Sequence, residues 1–408
     1  MANASDILIV GGGLNGCTLA QACASAGLSV TVIDAQPVPK RSAPDFDGRA
    51  YALALASTRL LSALGLWDGL RGNAQPMLEI KASDGRPAEG GAPFFLHFDH
   101  AEIEEGPMGY MLEDRFLRQA LLDAVEAAPG VTHLAGRTVV AQDIGAACAS
   151  VTLDTGESLS GRLLIGADGR KSGTAERAGI SRTGWDYSQT ALVAAIGHEL
   201  PHHGIAHQFF MPSGPLAILP LPGNRSSIVW SETHGNAAKI QALGDADYLS
   251  VLRPRFGDFL GEISLAGARF SYPLNLTLAN ALTADRLALV GDAAHGVHPI
   301  AGQGLNLGLR DVGALAEVLV EAQRRGEDIA SPLVLDRYAT WRRFDTALLA
   351  AATDGVNKLF SNDNPLLRLG RDLGMGVIGA MPGLRRAFVR EAAGLSGDVP
   401  RLLQGRAL

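Results

Sequence analysis

The sequence predicts an α/β protein: a parallel sheet flanked by helices, interrupted by an inserted antiparallel sheet and followed by a helical segment. Three observations predict it. The chain opens with an apolar run, "DILIV", a glycine cluster, "GGGLNG", a helix-like stretch and a second apolar run, "SVTVID", which is β-turn-α-β order. From about residue 181 the texture changes to short β-rich runs broken by Pro and Gly, as in "AHQFFMPSGPLAILPLPGNRSSIVWSE", the mark of antiparallel strands. At "DRLALVGDAAH" the buried-strand texture returns, so the first unit is discontinuous and the second is inserted into it.

The boundaries that follow are a first unit of residues 1–74, 106–180 and 281–330, an inserted unit of residues 75–105 and 181–280, and a C-terminal helical region, 331–408. Within the first unit a helix is expected over 17–26, stopped by Gly27, and another over 57–70. Residues 75–105 read as polar turns and short strands. "MLEDRFLRQALLDAVEAA" is an amphipathic helix, and "VTLDTGESLSGRLLIGADG" is a hairpin feeding a strand that ends at Asp168. From about 305 the chain is mostly helical to near 395.

A chain of 408 residues, 47% hydrophobic and 19% charged with 49 glycines, is too long for one ordinary core and suits two domains. Its net charge of −7 argues against a nucleic-acid phosphate track, which needs a basic face. Three cysteines without metal-like spacing fit a reducing interior, and Cys17 and Cys23 read as buried bystanders. The N-terminus lacks a basic region before its short apolar run, and no run of eighteen apolar residues occurs, so the expected location is cytoplasmic.

Gly11, Gly13 and Gly16 spell G-x-G-x-x-G between the first strand and its helix, the context in which that pattern means dinucleotide binding. One glycine allows the tight turn, another lets backbone approach a pyrophosphate, and the third brings helix against strand. The helix N-terminus then offers unpaired N–H groups and the positive end of its dipole. Asp34 closes the next strand, placed to accept hydrogen bonds from a ribose 2′-hydroxyl and to repel a 2′-phosphate. FAD and NAD both satisfy this much.

The stretch "GDAAHGVHPIAGQGLNLGLRD" at 291–311 separates the two. It leaves a buried strand at its carboxyl end, where open α/β sheets bind ligands, so the Asp292 carboxylate can take ribityl hydroxyls. "PIAGQG" then brings backbone N–H groups to a helix start near 305. Aimed at a flavin's N1 and C2 carbonyl, they stabilise the charge of the reduced ring, and a side chain at Gly302 or Gly304 would hold that backbone away. His295 and His298, with no third ligand nearby, read as packing or hydrogen-bonding residues, and no metal is expected. Asp311 reads as a structural partner inside the helix.

With "GADG" at 166–169, these motifs resemble the three-part signature of the FAD-dependent aromatic hydroxylases, the class A flavoprotein monooxygenases. "DGRAYALALASTRLLSALGLW" (47–67), "GYMLEDRFLRQAL" (109–121) and "GPLAILPLPGNRSSIVWSE" (214–232) are similar to its ubiquinone-biosynthesis hydroxylase branch, so the likeness covers most of the chain. The resemblance implies a Rossmann-like FAD-binding domain and an antiparallel substrate domain. It implies that Gly11, Gly13 and Gly16 cradle the FAD pyrophosphate, that Asp34 holds the adenosine ribose, and that Arg49 and Arg115 reach the cofactor. Asp168 would serve both FAD and a transient NAD(P)H. Asp292 would bind ribityl hydroxyls and Pro299 would lie beside the isoalloxazine. Gly302, Gln303, Gly304, Leu305 and Asn306 would follow its pyrimidine edge. Pro220 would face the substrate side, so Pro220, Pro299 and Gly302 are the flavin-facing candidates. No general base is assigned, because a phenol activates its own ring. One departure stands out: Ala175 occupies a place where the broad family often carries Arg, with Arg177 two residues on.

The activity so implied is hydroxylation of the ring of a polyprenyl phenol in ubiquinone biosynthesis. It uses NAD(P)H and O2 through a flavin C4a-hydroperoxide kept dry by the apolar sheet. Two other readings stand beside it: a related flavoenzyme such as an isoprenoid reductase, and a non-catalytic flavin-binding subunit of a biosynthetic complex. A halogenase is disfavoured, because its W-x-W-x-I-P motif has no counterpart at Trp67, Trp185, Trp230 or Trp341. The tail at 364–395 mixes basic and apolar residues at helical spacing. That suits a peripheral contact at the inner face of a membrane, partner enzymes of a ubiquinone complex, or packing on the FAD domain.

Overall fold

The computed structural model describes residues 4–38, 45–86, 90–299, 302–360 and 381–408. β1 (Ala4–Val10), α1 (Leu14–Ser25) and β2 (Val30–Asp34) form the opening unit. Residues 7–10 are buried, as are both faces of the strand, which is why the run is continuously apolar. The helix starts three residues before the apolar spacing predicts, directly after an extended Gly13 (φ −74°, ψ −173°). β3 (Ala50–Ala54) runs straight into α2 (Leu55–Ala63). The single helix expected over 57–70 is two, α2 and the short Trp67–Leu70, because Gly65 at φ +74° ends the first.

β4 (Glu79–Arg86) and β5 (Gly90–Asp99) are longer strands than the texture there suggests. β6 (Gly109–Glu113) leads into α3 (Asp114–Ala127), which buries Leu117, Leu121, Leu122 and Val125 along one face. β7 (Val131–Ala135) and β8 (Ser158–Gly166) follow. Next come β9 (Arg182–His198), β10 (Ile205–Met211), β11 (Gly214–Leu221), β12 (Arg225–Thr233) and β13 (Phe270–Ala279). β14 (Leu287–Leu289) precedes three helices, α4 (Gln303–Arg324), α5 (Pro332–Phe360) and α6 (Pro382–Ala392). Of the basic and apolar tail at 364–395, the part up to 380 lies outside the described residues.

β14, β8, β1, β2 and β7 lie parallel in that order. The chain therefore builds outward from β1 in both directions, and such a reversal opens a crevice at the carboxyl ends of the strands. The registers align Ile33, Val10, Gly166 and Leu289 across the sheet. Gly11, Asp34, Ala167 and Gly291 consequently emerge along one edge. One face packs on α1 and α4 through Ile7, Ile9, Leu163, Ile165, Leu19, Leu315 and Leu319. The other packs Leu8, Val10 and Leu164 on Val139, Val151 and Leu153. Each such side chain contributes about 1.5–3 kcal/mol by leaving water.

The second sheet runs β13-β9-β12-β11-β10-β4-β5, antiparallel except between β10 and β4. Trp230 on one face meets Tyr248 and Phe256 from a covering helix. Ala195 and Leu221 share a core with Ala52 and Met111 of β3 and β6. The segment after β14 joins both sheets, since His295 and Gly296 pair with β13. No helix among the described residues is long and apolar enough to cross a membrane.

Candidate active site

The motif glycines divide into two kinds. Gly11 has φ +108°, and any side chain there would overlap the Ala167 carbonyl. A side chain at Gly16 would overlap the Gly11 carbonyl. These two close β1, α1 and the GADG loop on one another. Gly13 has a backbone that any residue adopts, and a Cβ there would meet no atom within 4 Å. It would instead fill an open cradle at the start of α1. The helical ladder begins with Cys17 N–H to Gly13 O at 2.9 Å, so the amides of the first turn have no helical acceptor. Asp34 is buried at the end of β2 and accepts the Gln36 N–H at 3.0 Å, with Gly12 leaving room for its carboxylate.

Asn15 is a residue the sequence reading passed over. Its amide is wedged where neither Gly291 nor Gly308 carries a side chain, and its Oδ1 is buried without a hydrogen-bond partner. Two bare positions facing one amide form a three-dimensional signal that no local motif displays. Asp168 turns back on its own loop. It accepts from the Ser172 hydroxyl and, at 2.9 Å each, from the Thr174 N–H and hydroxyl, fixing the short helix Gly173–Arg177. Ala175 is buried in that helix, and Arg177 donates to Gln142 at 3.2 Å.

Asp292 sits in the turn Gly291–Ala293 with its side chain 45% exposed, 3.3 Å from Arg170 Nε. Pro299 is half-buried, and its carbonyl accepts the Gly302 N–H at 3.0 Å. Gly302, left-handed at φ +64° and tight against Ala52, caps α4, while space opens beyond Gly304. Leu305 packs on the main core, and Gln303 reaches the Ala392 carbonyl at 3.4 Å. The Asn306 side chain is engaged by the fold. Its Oδ1 accepts the Ala54 N–H and the Ser57 hydroxyl, and its Nδ2 donates to Ala52 O, each at 2.8 Å. His298 is buried against the Tyr187 ring edge with Gln189 Oε1 3.4 Å away, and burial pushes its imidazole down to about 4.

The two arginines stand in a carboxylate network. Arg49 pairs with Asp47 at 2.8 Å and with Asp114 at 3.4 Å. Arg115 pairs with Glu113 at 2.8 Å, and the same buried carboxylate takes Arg225 of β12 at 2.8 Å. Glu113 thus ties the small sheet formed by β3 and β6 to β12 of the second sheet. Pro220 lies buried opposite Ser226, beyond the end of the β10 pairing, where its missing N–H breaks no ladder. Its neighbours Leu219 and Leu221 join the core with Ala52.

Residues 4–351 match the FAD binding domain family. The Rhodospirillum rubrum protein called ubiquinone hydroxylase UbiL is 48% identical over 404 residues, covering 98% of this chain and 93% of its own. The chain belongs to the FAD-binding hydroxylase family, in its ubiquinone branch. The hydroxylase is also 36% identical to 3-demethoxyubiquinol 3-hydroxylase of Escherichia coli, over 96% of this chain and 99% of that one. Its fold is that of p-nitrophenol 4-monooxygenase PnpA from Pseudomonas putida, with a TM-score of 0.80 at 21% identity over 97% and 99% of the two chains. The hydroxylase is an FAD-dependent monooxygenase, and its residues fit that cofactor. A cradle that a Cβ at Gly13 would fill, a buried orphan acceptor at Asn15 and an exposed carboxylate at Asp292 belong to segments that meet at one crevice.

Proposed function

We propose that the hydroxylase acts on the aromatic ring of a polyprenyl phenol on the way to ubiquinone, with NAD(P)H and O2 as co-substrates. One observation carries the reading. The motif segments after β1, β2, β8 and β14 open on one crevice, and the second sheet meets β3 beside it through apolar Ala195, Leu219 and Leu221. Bound FAD accepts hydride and activates O2 there. Gly11 and Gly16 shape the turn, Gly13 admits the pyrophosphate to the α1 N-terminus, and Asp34 takes the adenosine ribose. Asp292 exchanges its Arg170 partner for ribityl hydroxyls. Pro299, Gly302 and Gly304, with Gln303, Leu305 and Asn306, would hold the ring, and Pro220 would stand on its substrate side. Arg49, Arg115 and Asp168 complete the polar surround. The apolar wall excludes water, and the phenol's own oxygen activates the ring.

Purified, FAD-loaded protein given a short-chain prenyl phenol should consume NAD(P)H and O2 and release hydroxylated product in equal amounts. NAD(P)H oxidation without O2 uptake would mark a reductase instead. FAD binding with no substrate-stimulated oxidation would mark a non-catalytic subunit. A deletion strain should accumulate the one unhydroxylated quinone precursor, identified by mass spectrometry. Exposed Leu384 and Phe388 beside Arg386 on α6 support a peripheral membrane contact for delivery of so apolar a substrate. Flotation with anionic liposomes should carry the protein upward; sedimentation without lipid would remove the membrane from this reading.

A further inference from the structure

A fully buried charge cluster lies behind the crevice. Asp311 on α4, His295 after β14 and Arg342 on α5 each have side chains 1% exposed. Asp311 Oδ1 accepts Arg342 Nε at 2.8 Å, while Oδ2 accepts His295 Nε2 at 2.5 Å and the Gly291 backbone N–H at 3.0 Å. Tyr338, one turn before Arg342, donates its hydroxyl to the Leu289 carbonyl at 2.7 Å. Arg182 at the start of β9 donates to the Ala293 carbonyl. The stretch 289–295 is therefore gripped at carbonyl, amide and side chain, and Asp292 is at its middle.

Asp292 itself has little to hold it. Half-exposed, it makes one long ion pair with Arg170, so its place is set by the backbone that carries it. The cluster behind is expensive to bury, and apolar groups of like volume would join the helices at least as well. Burial alone would raise the Asp311 carboxyl, yet His295 and Arg342 beside it hold it below the usual carboxylate range, so it accepts as an anion. One carboxylate thus spans α4, which begins at the ring end of the site, and the turn that bears Asp292.

We propose that Asp311, with His295 and Arg342, is a positioning residue that fixes where Asp292 meets the cofactor and couples that turn to α4. The inference rests on the FAD reading above. It is tested by titrating FAD into apoprotein and following flavin fluorescence, without turnover. His295→Ala should fold, because the Gly291 and Arg342 bonds to Asp311 persist, and should raise the FAD dissociation constant at least about tenfold. His295→Gln, which returns a donor to the Nε2 position, should restore it to within about threefold of wild type. In an Asp292→Ala background, His295→Ala should add less than about twofold, since the turn then has nothing to place. Unchanged affinity in His295→Ala, or an equal loss with and without Asp292, would overturn the proposal. Hydrogen exchange on wild-type apoprotein gives a measurement independent of any variant. The Gly291 amide should be strongly protected, and exchange at the rate of an open loop would sink the brace. Wild-type protein that takes up no FAD would instead defeat the cofactor reading itself.

Discussion

Gly13 and Gly16 stand three residues apart in one motif and answer to different neighbours. Gly16 presses on the Gly11 carbonyl, whereas Gly13 faces open space in an unstrained conformation. Gly16→Ala should therefore cost the apoprotein its stability, visible as a large drop in melting temperature or loss of soluble protein. Gly13→Leu should melt within about 2 °C of wild type, as surface changes do, yet purify colourless and take up no FAD. His298 carries a second test, through pH. Its folded value of about 4 lies below the ordinary 6.5, so the unfolded chain binds the proton first. Its contribution is complete above about 6.5 and is lost as pH falls from there toward 4. At pH 5 the loss is about 2 kcal/mol. Urea midpoints measured at pH 7 and pH 5 should fall less in His298→Gln than in wild type. Identical falls would mean that the imidazole is not buried in its neutral form.

At the scale of elements, α4 does two jobs. Its first turn follows the left-handed Gly302 and is the part proposed to meet the flavin, while the Asn306 side chain hooks backward onto β3 and α2. Asn306→Ala leaves the buried Ala54 N–H unmatched and should cost about 2–4 kcal/mol, read from denaturant unfolding of apoprotein, before any effect on flavin. This hook also shows where sequence reasoning stops. The glycine turn, the Asp34 strand end and the turn before Asp292 were readable because each demands a particular backbone from adjacent residues. The bonds of the Asn306 side chain are not legible in the same way, since nothing in "GQGLNLG" announces that β3, some 250 positions earlier, waits behind it. β4 and β5 read only as short strands among polar turns for a related reason: β4 settles beside β10 with β5 paired to it, and only that distant partner makes a half-polar stretch into long sheet strands. The break at Gly65 was local and still missed, because the apolar spacing on either side continues in helical phase.

At the scale of the whole molecule, one stretch of chain joins the two sheets. The stretch 289–296 leaves the parallel sheet, passes Asp292 and ends paired with β13, while Glu113 links both units through Arg115 and Arg225. A ligand held by that stretch is held by both sheets, so its binding energy should stabilise the molecule as one body. With free FAD at a hundred times its dissociation constant the gain is about 2.7 kcal/mol, or roughly 3 °C for a chain of this length. The melt should stay a single transition that moves as a whole, followed by tryptophan fluorescence and calorimetry together. Asp292→Ala should leave the apoprotein melting point unchanged, because an exposed ion pair contributes little, yet lose most of the FAD-dependent shift at the same FAD concentration. If FAD moved only one of two resolved transitions, the sheets would be independent bodies, and the shared stretch would not be what joins the cofactor to the substrate side.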